Sequence, residues 1–337
     1  MKILITTLSI TSLVIAVTAQ DIHFSQFWAS PLNLNPAQTG AFDGTYRATG
    51  IYRDQWASVN SPYKTFSLSY DHIFNSPILA EDQVAAGLML TNDVAGDAKF
   101  SNLSILVSGA YHKSLSAVST LTLGIQTGLF QKKLDREKLR FGNMFNNNSQ
   151  EFSLPLNDPL AGDPNLSNLD FTMGLQYSHL INNKFATQIG IAGMHILTPK
   201  ESFDESSDNE LPMRLAINGG VSFPLNAKMS LGPKFIYMGQ AKAKEFSLGT
   251  DLGYKLQNPK YEATVYGGLW ARLSGKDAVV PYVGLGYKDF RFGLSYDVNI
   301  SGLKEVSHGK GAFEVSLIYI GRLTMAPTVI VPPCLRF

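Results

Sequence analysis

The chain has 337 residues and is close to neutral, with 28 lysines and arginines against 27 aspartates and glutamates. This balance gives no reason to expect a nucleic-acid partner, which would require a basic surface. The single cysteine, Cys334, excludes an internal disulfide and a metal cluster held by cysteines. Abundant glycine, tyrosine and phenylalanine, with a mean hydropathy near zero, are typical of a membrane barrel that has a polar lumen.

The N-terminus has the pattern of a secretory signal peptide. Lys2 precedes an uncharged apolar run over residues 3–17, and Ala19 ends a small-residue cleavage site. We therefore predict a signal peptide over residues 1–19 and a mature chain that begins at Gln20. The apolar run falls short of the ~20 residues that a transmembrane helix needs, and no later stretch approaches that length.

Residues 20–43 form an irregular segment, QDIHFSQFWASPLNLNPAQTGAFD, which contains Pro31 and Pro36 and lacks sustained alternation. One interpretation is a disordered leader. We favour a plug-like segment that folds into or against the mouth of a barrel, because its apolar side chains need to be covered. The residues that we expect to seat this segment or to bind a partner are Gln26, Phe27, Trp28, Asn35, Pro36 and Gly40.

Residues 44–323 alternate apolar and polar side chains with the period of two that is typical of β-strands. In the clearest stretch, Phe290 and Phe292 alternate with Arg291 and Gly293. One such strand would also suit a soluble sandwich, but the pattern recurs at the ~9–11 residues that a tilted membrane strand needs. We predict an all-β transmembrane antiparallel barrel of about 14 strands. The predicted strands are residues 45–53, 63–74, 83–92, 102–112, 120–132, 169–179, 184–197, 211–223, 228–239, 244–256, 261–273, 279–287, 289–299 and 312–323.

The predicted connections support a membrane barrel, because short turns and long loops face opposite sides of the membrane. Connections after even-numbered strands are tight and rich in turn-forming residues, with one exception at residues 75–82. Those after odd-numbered strands include residues 134–168, which we expect to be external and a natural contact site, and residues 198–210. The acidic 198–210 loop lacks the spacing of a known calcium loop, so we predict no metal site.

Charged side chains of both signs interleave on the polar faces of the predicted strands. Buried charges persist when they are paired, so we expect a braced lumen rather than a wide aqueous pore. The register places Arg47 beside Asp71 near the inner rim, and it places Arg53 beside Glu314 near the outer rim, across the closing seam. The predicted lumen network is Arg47, Arg53, Asp71, Arg272, Arg291, Asp297 and Glu314.

The sequence offers no arrangement typical of an active site. The six histidines lack metal-ligand spacing, and no GxSxG, P-loop or CxxC motif occurs. Ser295, Asp297 and His308 could form a hydrolase site inside a barrel, but their spacing fixes no such geometry. We predict no catalytic residue and no cofactor.

Four groups of residues together resemble the PorP/SprF family of type IX secretion system membrane proteins. The first lies in the irregular N-terminal segment, from Gln26 to Gly40. The second is YRDQWASVNSPYKTFSLSYD, and the third is GLSYDVNISGL with the later GAFEVSLIY. The last is the C-terminal end, where the family usually has Cys-Pro and this chain has Cys334-Leu335. The resemblance covers essentially the whole mature chain.

The strand pattern places the barrel at residues 44–323 and a C-terminal tail at residues 324–337, and the even number of strands predicts that the N- and C-termini lie on one side, in the periplasm. The resemblance implies that this barrel lies in the outer membrane. It also implies work with the type IX machinery and no known catalysis. Some members associate with periplasmic ring subunits and a peptidoglycan-binding partner in general secretion. Others deliver or hold one large secreted protein, such as a gliding adhesin, whose C-terminal domain they would bind.

Two other functions stay open at this point. The Asn35-Pro36-Ala37 sequence is similar to the hatch of fatty-acid transport barrels, so the chain could be a hatch-gated transporter of small hydrophobic molecules. A lipid-active enzyme is the third hypothesis. The lipid bilayer is a partner in all three interpretations.

Overall fold

The computed structural model describes residues 21–55, 63–74, 77–79, 81–96, 99–135, 138, 144–152, 165–182, 185–203, 209–258, 261–274, 277–302 and 309–323. The predicted signal peptide, the C-terminal tail with Cys334, and His308 lie outside these residues. Within them, no helix is long and apolar enough to span a membrane.

The described residues contain sixteen strands, of which fourteen close into an antiparallel barrel. Each barrel strand pairs with the next one along the chain, and the last pairs with the first. The predicted barrel is therefore confirmed. The strands are β1 (Tyr46–Gln55), β2 (Tyr63–Phe74), β3 (Gln83–Ala95), β4 (Phe100–Ser116), β5 (Ser119–Lys133), β6 (Phe145–Asn146), β7 (Glu151–Phe152), β8 (Asn165–Ile181), β9 (Phe185–Met194), β10 (Arg214–Pro224), β11 (Met229–Gln240), β12 (Ala243–Asn258), β13 (Tyr261–Arg272), β14 (Ala278–Tyr287), β15 (Phe290–Asn299) and β16 (Lys310–Gly321).

The strands β6 and β7 pair only with each other, as a hairpin inside the long connection between β5 and β8. Two-residue strands show no period in the sequence, so alternation could not predict them. The strand β8 also begins earlier than predicted, at Asn165, because its first residues keep the ladder with β5. These residues are mostly polar on both faces, which is possible for a strand that extends beyond the bilayer.

The connections sort to the two ends of the barrel, which we name the turn end and the loop end. The turn end has connections of two to four residues, except for residues 75–82 between β2 and β3. The loop end has residues 134–164 and 195–213, but also a connection of only Ala241 and Lys242. We expected only one exception, at residues 75–82, to the alternation of short turns and long loops, and this expectation is wrong. A left-handed φ of 49° at Ala241 allows this tight turn.

The outer wall is an apolar belt, because one face of most barrel strands carries exposed aliphatic and aromatic side chains, and on β10 and β11 these side chains are partly exposed. Leu68, Ile189, Leu269 and Val283 are each half exposed or more on this wall. Near the turn end, Tyr46 and its neighbours on β2 and β16 place aromatic rings side by side. Aromatic girdles of this kind mark the boundary between acyl chains and headgroups.

Candidate functional site

The N-terminal segment fills the lumen, and we name residues 21–43 the plug. It contains a 3-10 turn at Phe27–Ala29, the helix α1 at Pro31–Leu34 and a second 3-10 turn at Pro36–Gln38. The last two each begin with proline, whose fixed φ suits a first helical position. Its apolar side chains are buried, with Trp28 at 2% exposure, so the predicted plug is confirmed.

The plug runs through the whole lumen from the loop end to the turn end. At the loop end, the backbone N–H of Asp21 donates to Oε1 of Gln240, the last residue of β11, at 3.1 Å. At the turn end, the Thr45 N–H donates to the Gly321 carbonyl at 2.8 Å. We expected both termini on one side of the membrane. Among the described residues, Asp21 lies at the loop end and Gly321 at the turn end. The two termini lie outside these residues, so the structure does not test this expectation.

The seam between β1 and β16 carries the densest group of charges, and we name Ser25, Arg53, Arg272, Asp297 and Glu314 the seam cluster. Arg53 donates to Glu314 across the seam at 2.5 Å and to Asp297 at 3.0 Å. Arg272 donates to the same Asp297 at 2.9 Å. Glu314 is fully buried, so these charges are stable only as a paired set.

The plug is part of the seam cluster. The backbone N–H groups of Ser25 and Gln26 donate to the two carboxylate oxygens of Glu314, at 2.7 and 2.8 Å. The Ser25 hydroxyl donates to Asp297 at 2.7 Å and accepts from Arg53 and Arg272. The last strand of the barrel therefore bonds simultaneously to the first strand and to the plug.

The side chain of Gln26 adds three further hydrogen bonds at the same seam, one of them from its amide nitrogen to the Glu314 carbonyl at 3.3 Å. Its amide nitrogen donates to Ser295 Oγ on β15 at 3.0 Å, and its carbonyl accepts from Ser316 Oγ on β16 at 2.7 Å. Gln26 is fully buried. Because both ends of the amide are satisfied by the wall, this residue fixes the depth of the plug.

A second ion pair holds the plug at the turn end. Arg47 on β1 donates through Nε and Nη2 to the two carboxylate oxygens of Asp71 on β2, at 3.0 and 2.7 Å. The same guanidinium donates to the Gln38 carbonyl, and the Gly40 N–H donates to Asp71 at 2.8 Å. Gly40 has a φ of 75°, a conformation that favours glycine.

Aromatic side chains join the plug to β13 and β14. Trp28 lies 4.4 Å from Trp270 between ring centroids, and Phe27 and Tyr282 meet this pair edge-on. Lys234 lies over the Trp28 ring at 5.6 Å. Edge-to-face arrangements of this type add stability beyond the buried area alone.

The charges beside this aromatic group belong to the wall. Asp251 on β12 accepts from Lys234 on β11 at 2.5 Å and from Arg291 on β15 at 3.1 Å. The Arg291 guanidinium also stacks on Tyr266, 3.9 Å from the ring centroid. Arg291 thus braces the barrel wall rather than the plug.

Three wall glycines form a notch for the middle of the plug, and we name Gly124, Gly174 and Gly190 the glycine notch. A Cβ at Gly174 would overlap Oδ1 of Asn35, and one at Gly124 would overlap the backbone of Pro36. Asn35 Nδ2 donates to the carbonyls of Leu175 and Ile191 at 3.2 and 3.4 Å. The plug thus touches the backbone of the wall, which a larger residue would prevent.

The loop-end mouth holds an ionic group that sequence reasoning missed. His195, the residue after β9, lies 2.7 Å from Asp21 through Nε2 and 3.0 Å from Asp170 through Nδ1. Arg214 donates to the Ile22 carbonyl at 3.2 Å. Burial alone would lower the pKa of His195, but hydrogen bonds to Asp170 and Asp21 outweigh it and raise the pKa to about 9. His195 therefore carries a positive charge at neutral pH.

The predicted site residues all lie in the plug or on the lumen wall, but they do not form one site. The structure brings together Arg53, Arg272, Asp297 and Glu314, and separately Arg47 and Asp71. It does not bring Arg291 into either group. Sequence reasoning missed the glycine notch, since glycine is common on every strand, and it missed Ser25 and His195, which lack a motif.

Two hydroxyl groups contact imidazole rings among the described residues: Ser119 Oγ lies 2.7 Å from Nδ1 of His179, and Thr122 Oγ1 lies 2.9 Å from Nδ1 of His112. The predicted candidates Ser295 and Asp297 belong to neither pair. Ser295 accepts from Gln26, and Asp297 is bound by two arginines, so neither side chain faces an open cavity. Among the same residues, no group of three or more histidine, cysteine, aspartate or glutamate side chains is arranged to hold a metal ion.

The comparison with known families gave a match to the family described as "Type IX secretion system membrane protein PorP/SprF", over residues 16–319. No curated protein matches the chain. Among solved structures, a Pseudomonas aeruginosa FadL homologue is 11% identical over 85% of this chain and 92% of its own, with a TM-score of 0.43. The TodX deltaS2S3 mutant, a monoaromatic hydrocarbon channel, is 11% identical over 86% of this chain and 92% of its own, with a TM-score of 0.48. BamA from Haemophilus ducreyi is 9% identical over 82% of this chain and 70% of its own, with a TM-score of 0.42.

Proposed function

The chain belongs to the PorP/SprF family of type IX secretion system membrane proteins, and from this premise we propose that it binds a secreted surface protein and helps to deliver or anchor it, without catalysing a reaction. It is an outer-membrane β-barrel component of that secretion system. The partner that we propose is the C-terminal domain of a secreted protein, such as a gliding adhesin, at the loop end. Periplasmic ring subunits or a peptidoglycan-binding protein would contact the turn end.

The observation that carries the proposal is the filled lumen. The plug is fixed at the seam by Glu314, at the turn end by Asp71 and in the middle by the glycine notch. Each of these contacts would have to break before a solute could pass. A barrel with an occupied lumen acts through its two ends, and only the loop end has connections long enough to hold a folded domain.

The hairpin β6–β7 lies within the long connection at this end. Its Phe145 and Phe152 rings pack edge-on at 5.1 Å, and Phe152 is 47% exposed. Asn146 Oδ1 accepts from the Asn148 N–H and stabilises the turn. Exposed aromatic side chains on a rigid support are the typical anchors of protein interfaces.

A double substitution, Phe145→Ala with Phe152→Ala, tests this contact. We expect surface retention and co-purification of the cargo to fall by at least tenfold, because two aromatic anchors contribute at least ~1 kcal/mol each. Leu225→Ala is the matched control, since Leu225 is 51% exposed at the opposite end. If a strain lacking the barrel still secretes and displays every surface protein, the proposed function is wrong.

The orientation is part of the proposal: the loop end faces the cell exterior and the turn end faces the periplasm. An epitope inserted directly before Asp21 should then bind antibody on intact cells, because the plug begins at the loop end. An epitope after Leu323 should need permeabilised cells. The reverse pattern would contradict this orientation.

A hatch-gated transporter is the alternative function. It requires the plug to move, and the buried pairs of the seam cluster oppose that movement. Conductance of the purified protein in a planar bilayer distinguishes the transport function from the binding function. Large stable currents would favour transport, whereas a closed barrel fits a binding component.

A further inference from the structure

The turn between β2 and β3, residues 75–82, differs from every other connection at the turn end. The others have two to four residues, whereas this one is long enough to hold a 3-10 turn at Pro77–Leu79. Ile78 is 93% exposed, the largest exposure among the large apolar side chains of the described residues. Its apolar side chain is therefore available to an apolar environment outside the barrel.

Hydrogen bonds tie the turn to the outside of the barrel. Asp82 accepts from Tyr111 Oη at 2.5 Å, from Lys113 Nζ at 2.8 Å and from the Ser114 N–H at 2.9 Å. Tyr111 and Lys113 flank the lumen-facing His112 on β4, so their side chains lie on the outer wall. The turn therefore ends against the outer wall and not beneath the lumen.

The same sector of the wall continues the apolar belt up to the turn. Phe74 pairs in register with Val84, and Val84 with Tyr111, so Phe74 and Tyr111 lie in one row on the outer face. Phe74 is 49% exposed and Leu115 is 55% exposed. Aromatic rings mark the boundary of the acyl region, and Ile78 follows Phe74 by only four residues. The turn that carries Ile78 therefore starts and ends at this edge of the belt, at Phe74 and at Asp82.

We propose that the Pro77–Leu79 turn inserts into the headgroup region of the leaflet at the turn end, with Ile78 as its apolar anchor. The occupant of this surface is lipid, because the patch is continuous with the lipid-facing belt. The inference needs no protein partner, so it stands or falls separately from the proposed function.

The charges beside Ile78 are compatible with a headgroup environment. The hydrogen bonds from Lys113 and Tyr111 lower the pKa of Asp82 to about 2, so this carboxylate stays ionised and paired. The Lys113 side chain is 53% exposed, and a lysine can lay its aliphatic stem on apolar surface while its ammonium reaches water. A paired charge at this depth costs less than an isolated one.

A spin label at position 78 tests the insertion. In a Cys334→Ser background, Ile78→Cys would be labelled and placed in vesicles of phosphatidylethanolamine and phosphatidylglycerol. Leu269→Cys, on the apolar belt, gives the acyl-chain reference, and Lys242→Cys, in the exposed loop-end turn, gives the aqueous reference. We expect accessibility to a water-soluble nickel complex to be severalfold lower at position 78 than at position 242, with oxygen accessibility between the two references.

Two results would overturn the inference. Nickel accessibility at position 78 equal to that at position 242 would place the turn in water. Protection that occurs in native outer membranes but not in lipid vesicles would show that a protein covers Ile78. An unheated gel that shows the folded form of each labelled variant controls for misfolding.

Discussion

Substitution of one glycine tests whether the plug is seated as tightly as the structure indicates. In Gly174→Ala, the new methyl group would overlap the Asn35 carboxamide oxygen. Because carbon and oxygen atoms normally stay about 3.5 Å apart, the plug would have to retreat by on the order of 1 Å. This retreat would weaken the two hydrogen bonds from Asn35 to the carbonyls of Leu175 and Ile191.

The magnitude follows from these contacts. Forced overpacking costs about 1–3 kcal/mol, and each weakened hydrogen bond costs about 0.5–1.5 kcal/mol. A total of about 2–6 kcal/mol would raise the population of a displaced plug by roughly 30-fold to on the order of 10,000-fold. The wall itself should remain closed, because Gly174 contributes only backbone to the strand ladder.

Hydrogen exchange of the plug amides, read by mass spectrometry on the barrel in detergent, measures this effect. Gly267→Ala is the matched control, since a Cβ at Gly267 would meet no atom within 4 Å. We expect faster exchange over residues 35–39 in Gly174→Ala and unchanged exchange in Gly267→Ala. If the two variants exchange alike, the notch does not hold the plug and the close packing described above is wrong.

Three further substitutions test the ionic contacts. Glu314→Gln should destabilise the barrel by about 3 kcal/mol, because it leaves two buried arginines, Arg53 and Arg272, to share the single carboxylate of Asp297. A melting temperature equal to the parent's, read from folded migration on gels, would contradict this. Arg47→Lys keeps the charge but loses the bidentate hydrogen bonding to Asp71, so we expect the free energy of unfolding to fall by about 1–2 kcal/mol in the same assay. Protonated His195 stabilises the loop-end mouth through its contacts with two carboxylates, and its pKa is raised to about 9. This stabilisation is complete below pH ~6.5, the ordinary histidine pKa, and it is lost as the pH rises through about 9. A parent protein should therefore lose stability between these values, and His195→Gln should lose less.

Repetition made the barrel predictable from sequence. A single alternating strand such as β15 fits several folds, but fourteen of them at membrane length fit one. Alternation also fixes register, which is why the contact between Arg53 and Glu314 could be predicted from two distant strands. The apolar content of the plug indicated that it had to be covered.

The sequence could not give the direction of the plug or the contacts at its loop-end start. Both depend on how an irregular segment fits a particular interior, for which no period exists. Asp21 meets His195 only because the plug enters at the loop end, and the two lie 174 residues apart in sequence. The glycine notch was hidden for another reason, since outward glycines such as Gly267 look the same in sequence as those that touch the plug.

The bonds at the seam have a consequence for biogenesis. Residues 25 and 26 leave the ribosome long before residue 314, yet Glu314 receives their N–H groups as well as the Arg53 guanidinium. The last strand therefore packs against a surface that is formed by the earliest part of the mature chain. Without the plug, Glu314 would keep its contact with Arg53 but would lose the two N–H donors of residues 25 and 26.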